Sequence, residues 1–348
     1  MKIAMTLSNK SLLETRFRPT LHGLICGFAM QPDQSIQTLG GDELRSALDR
    51  PGTVVWLHFN VRVGQSRDWI ARCDHLSEAA RRFLLEHDDR KRIEQTGETL
   101  LGVISDVRHD FDLDDFDPEH IASLRFYMDA SCVISTRLQP CSTADQLRTE
   151  IKQGHYFDST AKLLVHLFDS QVTRLGETIE RVRVMLDDIE DEVLAGRVRG
   201  QHAQLGSIRR LAVRLNHHFG PEHRMLQRLC RRLPNWFGAV DAAALQDVAE
   251  EFRELVDDLT ETQERAKLLQ EELAARLAEQ TNSNLYILSV FTAVLLPPSL
   301  IAGIFGMNVM GVPGVQDGGD MAFWWVMLGM GAISGLILLL LAYWRRLF

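Results

Sequence analysis

The rhythm of apolar and polar positions divides the chain into three kinds of segment. Over the first ~150 residues, short runs rich in β-branched and aromatic residues are separated by turn residues, which is the signature of strands. Thr53–Val61 (TVVWLHFNV), Thr99–Val107 (TLLGVISDV), Ile121–Asp129 (IASLRFYMD) and Ser131–Arg137 (SCVISTR) are four such runs. Between the first two, Leu76–Gln95 (LSEAARRFLLEHDDRKRIEQ) changes to helical spacing, with Ser77 as N-cap and Glu78 behind it. The pattern predicts an α+β (α/β) domain with several sheet strands over residues 1–153.

From about Ser142 onward the strand signals stop and a helical period takes over. Asp158–Gly196 reads as one long amphipathic helix that Gly196 ends. Gln204–Leu233 reads as a second, which Gly220-Pro221 should break or kink. These make a helical segment over 154–238. Between Gly238 and Pro297 there is neither Gly nor Pro, a length of about 87 Å if helical throughout. Its apolar positions are Leu245, Val248, Phe252, Leu255, Leu259, Ala266, Leu269, Leu273 and Leu277, in steps of three and four, with Thr262 filling the one gap. Such a seam needs a partner helix. Part of it should pack within the subunit. The rest predicts a coiled-coil-like stalk packed against copies of itself and running into the membrane.

The third kind of segment is uninterrupted by charge. Leu285–Phe305 and Met321–Trp344 carry no charged residue, and each has the ~20 residues that cross a hydrocarbon core of about 30 Å. The stalk therefore continues as a first span over 239–305. A loop follows at 306–320, and 321–348 holds a second span with a basic tail. The opening segment MKIAMTLSNKS is too short for a signal-peptide core, so the polar bulk is expected on the side of synthesis. Arg276 precedes the first span, Arg345 and Arg346 follow the second, and the loop has no Lys or Arg. The positive-inside rule then puts both termini in the cytoplasm, for an inner-membrane protein with two passes. Trp324, Trp325, Tyr343 and Trp344 stand where aromatic belts form.

Two spans cannot enclose a hydrophilic path, so transport would require several subunits around one pore. On the first span Asn282, Leu285, Ser289, Thr292, Leu296, Ser299 and Gly303 recur at three or four residues, a stripe of apolar and small hydroxyl positions suited to line one. Pro297-Pro298 should kink that helix near its outer end. Neither span contains Asp, Glu, His, Lys or Arg, and no Cys follows Cys230. A bare zinc site wants Cys or His, and a proton relay wants a titratable group. A divalent cation passing here would keep much of its water. The carbonyl of Asn308 can accept hydrogen bonds from that water, and a ring of such residues is a candidate filter.

At these residues the chain resembles the CorA family of divalent-cation transporters. Gly303–Asn308 (GIFGMN) is similar to that family's Gly-Met-Asn signature and stands directly after the penultimate span. The resemblance implies a homopentamer with a cytoplasmic α/β funnel, a pore lined by the first span, and Gly306, Met307 and Asn308 at its outer mouth. YILSVFTAVLLP and GMNVMGVPG look more like the ZntB branch, whose members are zinc transporters thought to be coupled to the proton gradient. Asp317 and Asp320 of the loop, or cytoplasmic carboxylates and His, are then the candidate proton carriers. Transported Zn²⁺ is expected, with Cd²⁺, Ni²⁺, Co²⁺ or Mg²⁺ as alternatives, and no cofactor.

Three further clusters carry candidate chemistry. Asp106–His120 is dense in Asp, with two His, and reads as a regulatory cation site or a solvated loop. Asp187, Asp188, Glu190, Asp191 and Glu192 resemble an acidic funnel helix that concentrates cations, or are a solvated helix face. His217, His218 and His223 are zinc-capable, although Pro221 spoils a simple helical spacing. The net charge of −9 argues against a nucleic-acid partner, and five scattered cysteines read as reduced cytosolic thiols. No phosphate loop or nucleophile–base motif points to an enzyme. Two alternatives stay open: a magnesium or cobalt channel of the same fold, and a membrane-anchored sensor or scaffold without flux.

Overall fold

The computed structural model describes residues 21–86, 88–107, 121–197, 200–306 and 320–347. Among the described residues the seven strands are β1 (Leu24–Met30), β2 (Ile36–Thr38), β3 (Val54–Asn60), β4 (Arg92–Thr96), β5 (Thr99–Val107), β6 (Ile121–Met128) and β7 (Cys132–Arg137). The helices are α1 (Leu44–Leu48), α2 (Gly64–Ala71), α3 (Glu78–Leu85), α4 (Ser142–Lys152), α5 (Thr160–Leu194), α6 (Gln201–Arg231), α7 (Ala239–Gly306) and α8 (Asp320–Leu347). The chain forms two compact units, one up to Leu269 and one from Gln270 onward.

In the first unit the strands make one sheet in the order β2-β1-β3-β7-β6-β5-β4. Only the central pair, β3 with β7, is parallel; the other pairs are antiparallel. The pleat alternates side chains between two faces. Val55, Leu57 and Phe59 of β3 and Ile134 of β7 join Leu44, Ile70, Phe83 and Leu84 in one buried cluster under α1, α2 and α3. On the other face of β3 and β7, Trp56 Nε1 donates to Ser135 Oγ at 2.9 Å, and His58 Nδ1 lies 2.8 Å from the same oxygen. Burial pushes the His58 imidazole down to about 3.

Four predicted strands are present almost to the residue, and Ser77 caps α3 by accepting from Ala80 N at 3.2 Å. The helix expected over Leu76–Gln95 is corrected: it ends at Leu85, and Arg92–Thr96 is β4. Glu86 already has extended backbone, and Thr96 pairs with Thr99 across a Gly97-Glu98 turn in which Gly97 takes φ +60°. Pairing with β5 overrides a weak helical period.

Gly102 faces Phe126 across the β5–β6 ladder, and a Cβ there would meet the phenyl ring at 2.2 Å. Gly102→Ala should lower unfolding stability by about 1–3 kcal/mol, measured by urea denaturation. The β5 carboxylate of Asp106 accepts from Thr143 N and Oγ1 at 3.0 and 2.8 Å, and so caps α4, whose own N-cap Cys141 makes no capping side-chain bond. Residues 108–120 of the predicted Asp106–His120 cluster lie outside the described residues.

Ser159 caps α5 by accepting from Lys162 N at 3.1 Å. At its other end Gly196 takes φ +78°, with Arg197 N bonded to Glu192 O and Gly196 N to Val193 O. That paired bonding is a Schellman stop, and glycine suits its left-handed position. The break expected at Gly220-Pro221 does not occur: α6 runs through Pro221 to Arg231. Packing of Phe219 on Phe252 of α7, with ring centroids 6.2 Å apart, and burial of Glu222 hold the turns on both sides.

Part of the α7 seam packs within the subunit, as the sequence predicts. Leu245, Val248, Phe252, Leu259, Ala266 and Leu269 are buried within the single chain. Leu255 approaches Gly176 of α5, and Phe252 approaches Phe219 of α6. This stretch of seam therefore finds its partner helices inside the subunit. Thr262, the polar gap, is buried with its hydroxyl donating to Asp258 O at 2.8 Å. Leu277 is 39% exposed, so an unpartnered seam begins only there.

Candidate functional site

The unit from Gln270 onward contains the membrane-directed part of α7 and all of α8, the two helices among the described residues that are long and apolar enough to cross a bilayer. Half-buried positions on α7 are Val290, Ala293, Val294, Pro297, Pro298 and Ile301. On α8 they include Gly329, Met330, Ser334, Gly335 and Ile337. Gly and Ser let backbones approach closely where lipid offers no hydrophobic drive. α7 runs through Pro297-Pro298 to Gly306. Pro298 has no N–H to give Val294 O, and Ser334 Oγ of α8 donates to that carbonyl at 3.2 Å. The helix pair thus repairs the backbone defect that the proline makes.

The predicted stripe lies on roughly the opposite face of α7 at 100° per residue. Asn282, Leu285, Ser289, Thr292, Leu296, Ser299 and Gly303 are all exposed in the single chain. Ser289, Thr292 and Ser299 donate their hydroxyl hydrogens to Leu285 O, Leu288 O and Leu295 O at 2.8, 2.8 and 2.7 Å. Their oxygens then offer only lone pairs outward. Water on a cation points its hydrogens away from the ion, so this row of acceptors matches a hydrated cation. Leu285 precedes them and Leu296 lies between Thr292 and Ser299 on the same face, as apolar positions of the row.

Gly306 closes α7, while Met307, Asn308 and Asp317 lie outside the described residues; Asp320 begins α8. Trp324, Trp325 and Tyr343 are exposed, as side chains at a membrane interface would be.

The acidic row of α5 is partly neutralised. Asp187 and Glu190 each lie 2.8 Å from the Arg265 guanidinium of α7, and Glu192 accepts from Gln201. Asp188 and Asp191 are exposed. The three histidines of α6 are not brought together. His218 is pushed down to about 4 by burial and by Lys91, whereas His223 is lowered by burial and faces Asp257, Arg253 and Glu250 of α7. His217 is exposed. Pro221 leaves the helix intact, but the turn between the histidines separates their faces.

A mixed-sheet domain joined by one long helix to a two-helix apolar unit defines a class of membrane protein. A family model described as CorA-like Mg2+ transporter protein matches residues 51–346. The chain belongs to this family, whose members are divalent-cation transporters. It is 28% identical over 314 residues to the divalent cation transporter CmaX of Pseudomonas aeruginosa, covering 90% of this chain and 93% of that one. It is 25% identical over 294 residues to the zinc transport protein ZntB of Yersinia pseudotuberculosis, covering 84% and 86%. The solved structure of full-length CmaX superimposes with a TM-score of 0.78 at 27% identity, over 93% of this chain and 98% of the other. The CorA magnesium transporter of Methanocaldococcus jannaschii shares the fold, with a TM-score of 0.74 at 16% identity over 91% and 97%.

Proposed function

We propose that the chain assembles as a homopentamer in the inner membrane and carries hydrated divalent cations, zinc foremost, into the cytoplasm. The exposed row of acceptor-only hydroxyls on α7, opposite the face that meets α8, carries this reading. Five such faces around an axis would line a pore. Met307 and Asn308 would hold the ion's water at the mouth beside Gly306. Asp188 and Asp191 would draw cations on the inner side, with Arg265 damping Asp187 and Glu190. Both termini are cytoplasmic in this reading, as the arginines flanking the spans favour.

Zinc is favoured by the ZntB relatives and by the GMNVMGVPG segment. The magnesium reading rests on the family model's description and uses the same pathway. Proteoliposomes holding the purified chain decide between them. Zn²⁺ uptake should exceed Mg²⁺ uptake and rise with an inward proton gradient. Mg²⁺ flux indifferent to zinc and to the gradient would replace zinc as the cargo, and absence of any flux would favour the scaffold.

A further inference from the structure

The turn between β6 and β7 and the loop between α2 and α3 bring together three metal-ligating side chains that are distant in sequence. His75 Nε2 lies 2.8 Å from Asp129 Oδ2, and Cys132 Sγ lies 3.3 Å from His75 Nε2 and 3.6 Å from Asp129 Oδ2. Among the described residues this is the one set of three His, Cys or carboxylate donors that converges on a single point. We propose that His75, Asp129 and Cys132 bind one zinc-class divalent ion in the α/β domain, at a site separate from the transport path.

The local structure holds the donors in place. Asp129 Oδ1 is fully engaged by Ser131 N, Ser131 Oγ and Cys132 N at 2.8, 2.9 and 2.9 Å. This turn leaves Oδ2 aimed at His75, and the Tyr127 hydroxyl donates to it at 2.9 Å. Thr160 Oγ1 ties Asp129 O to the start of α5 at 2.7 Å. Such outer partners fix ligand orientation.

The spacing suits a tetrahedral ion. Bonds of about 2.0–2.3 Å set ligand atoms about 3.3–3.8 Å apart. Both cysteine distances already fall in that range. The shorter His75–Asp129 distance is a hydrogen bond that has to open by about half an ångström. Cys132 is 0% exposed, while the His75 and Asp129 side chains are 24% and 17% exposed. The site is therefore closed at its thiol end and reachable from solvent at the other, where water can complete four-coordination. Without an ion Cys132 is a thiol whose Sγ donates to Asp129 Oδ2. Binding displaces that proton to solvent, and the ion takes up the thiolate charge. A thiolate–imidazole–carboxylate set selects zinc, cobalt or cadmium over magnesium.

The site does not depend on which ion crosses the membrane, and its test does not use flux. Purified full-length chain, stripped with a chelator, is titrated with Co²⁺. One equivalent per chain should give a thiolate-to-cobalt charge-transfer band, displaced by one equivalent of Zn²⁺ and resistant to a ~1,000-fold excess of Mg²⁺. No cysteine follows Cys230, so the band cannot arise in the spans. Cys132→Ser should abolish it, His75→Ala should weaken binding at least ~10-fold, and Cys230→Ser should leave it unchanged. Absence of the band in the unmodified chain, or its full retention in Cys132→Ser, overturns the proposal. If Cys132→Ser does not fold, undiminished affinity in His75→Ala overturns it equally.

Discussion

Asn308→Ala is expected to abolish divalent-cation uptake into proteoliposomes, with flux down at least ~10-fold and subunit assembly unchanged. One amide hydrogen bond contributes only about 0.5–1.5 kcal/mol net. The proposed pore repeats it five times at one level, and an ion entering with its water meets all five together. The neighbouring spans offer no charge in compensation, since neither contains Asp, Glu, His, Lys or Arg. Asn308→Gln keeps the amide but moves it outward and should recover only part of the flux. Cross-linking establishes that assembly has survived. Undiminished uptake in Asn308→Ala would remove this residue from the filter.

Glu222→Ala should lower the stability of the α/β and helical unit by about 3–5 kcal/mol. Glu222 is 0% exposed and follows Pro221 in α6. It accepts from Ser105 N of β5, and from Gln171 Nε2 of α5 at 2.7 Å; the same Nε2 also donates to Ser105 O at 2.6 Å. One carboxyl thus joins the sheet to both long helices, with Lys91 close by. Removing it leaves buried donors without acceptors.

Glu222→Gln preserves the acceptor and isolates the proton. Burial raises the Glu222 carboxyl from 4.5 to about 7, and Asp106 from 3.8 to about 7. A carboxyl raised in the folded state contributes stability below its unfolded value and loses it as pH climbs through the folded value. Unfolding free energy attributable to Glu222 should therefore fall between about pH 4.5 and 7. His58 and His218 act in the opposite sense, because their lowered values cost stability as pH falls below 6.5. They cancel in the difference between wild type and Glu222→Gln. That difference, taken from urea melts at pH 5 and pH 8, should favour wild type more at pH 5. A difference independent of pH would mean that Lys91 keeps the carboxylate ionised throughout.

The parts of the fold that were legible share one property: their signal is local. Absence of charge marked the membrane-directed helices, because a bilayer reads composition over ~20 consecutive residues. Ser77 and Gly196 marked helix ends, because capping involves only the adjoining turn. The row of small hydroxyls on α7 was legible for the same reason, since helical period alone places it on one face.

What was missed depends on a partner outside the segment itself. Arg92–Thr96 carried a helical rhythm and became a strand only because β5 lies beside it. The seam from Leu245 to Leu269 announced a partner without saying which, and α5 and α6 supply it within the chain. His75 lies 54 residues from Asp129 and 57 from Cys132, so no spacing rule joins them.

The sequence by itself determined that this is a two-span protein with a mixed polar domain and a neutral, hydroxyl-bearing first span, because those properties are sums over neighbouring residues. Only the tertiary structure decided which helix face meets α8 and which stays exposed in the single chain. It also decided that Ser334 answers the proline at 298, and that a histidine, an aspartate and a cysteine share one point. Each of those depends on distances through space, which the packing of the sheet against its helices and of α7 against α8 sets.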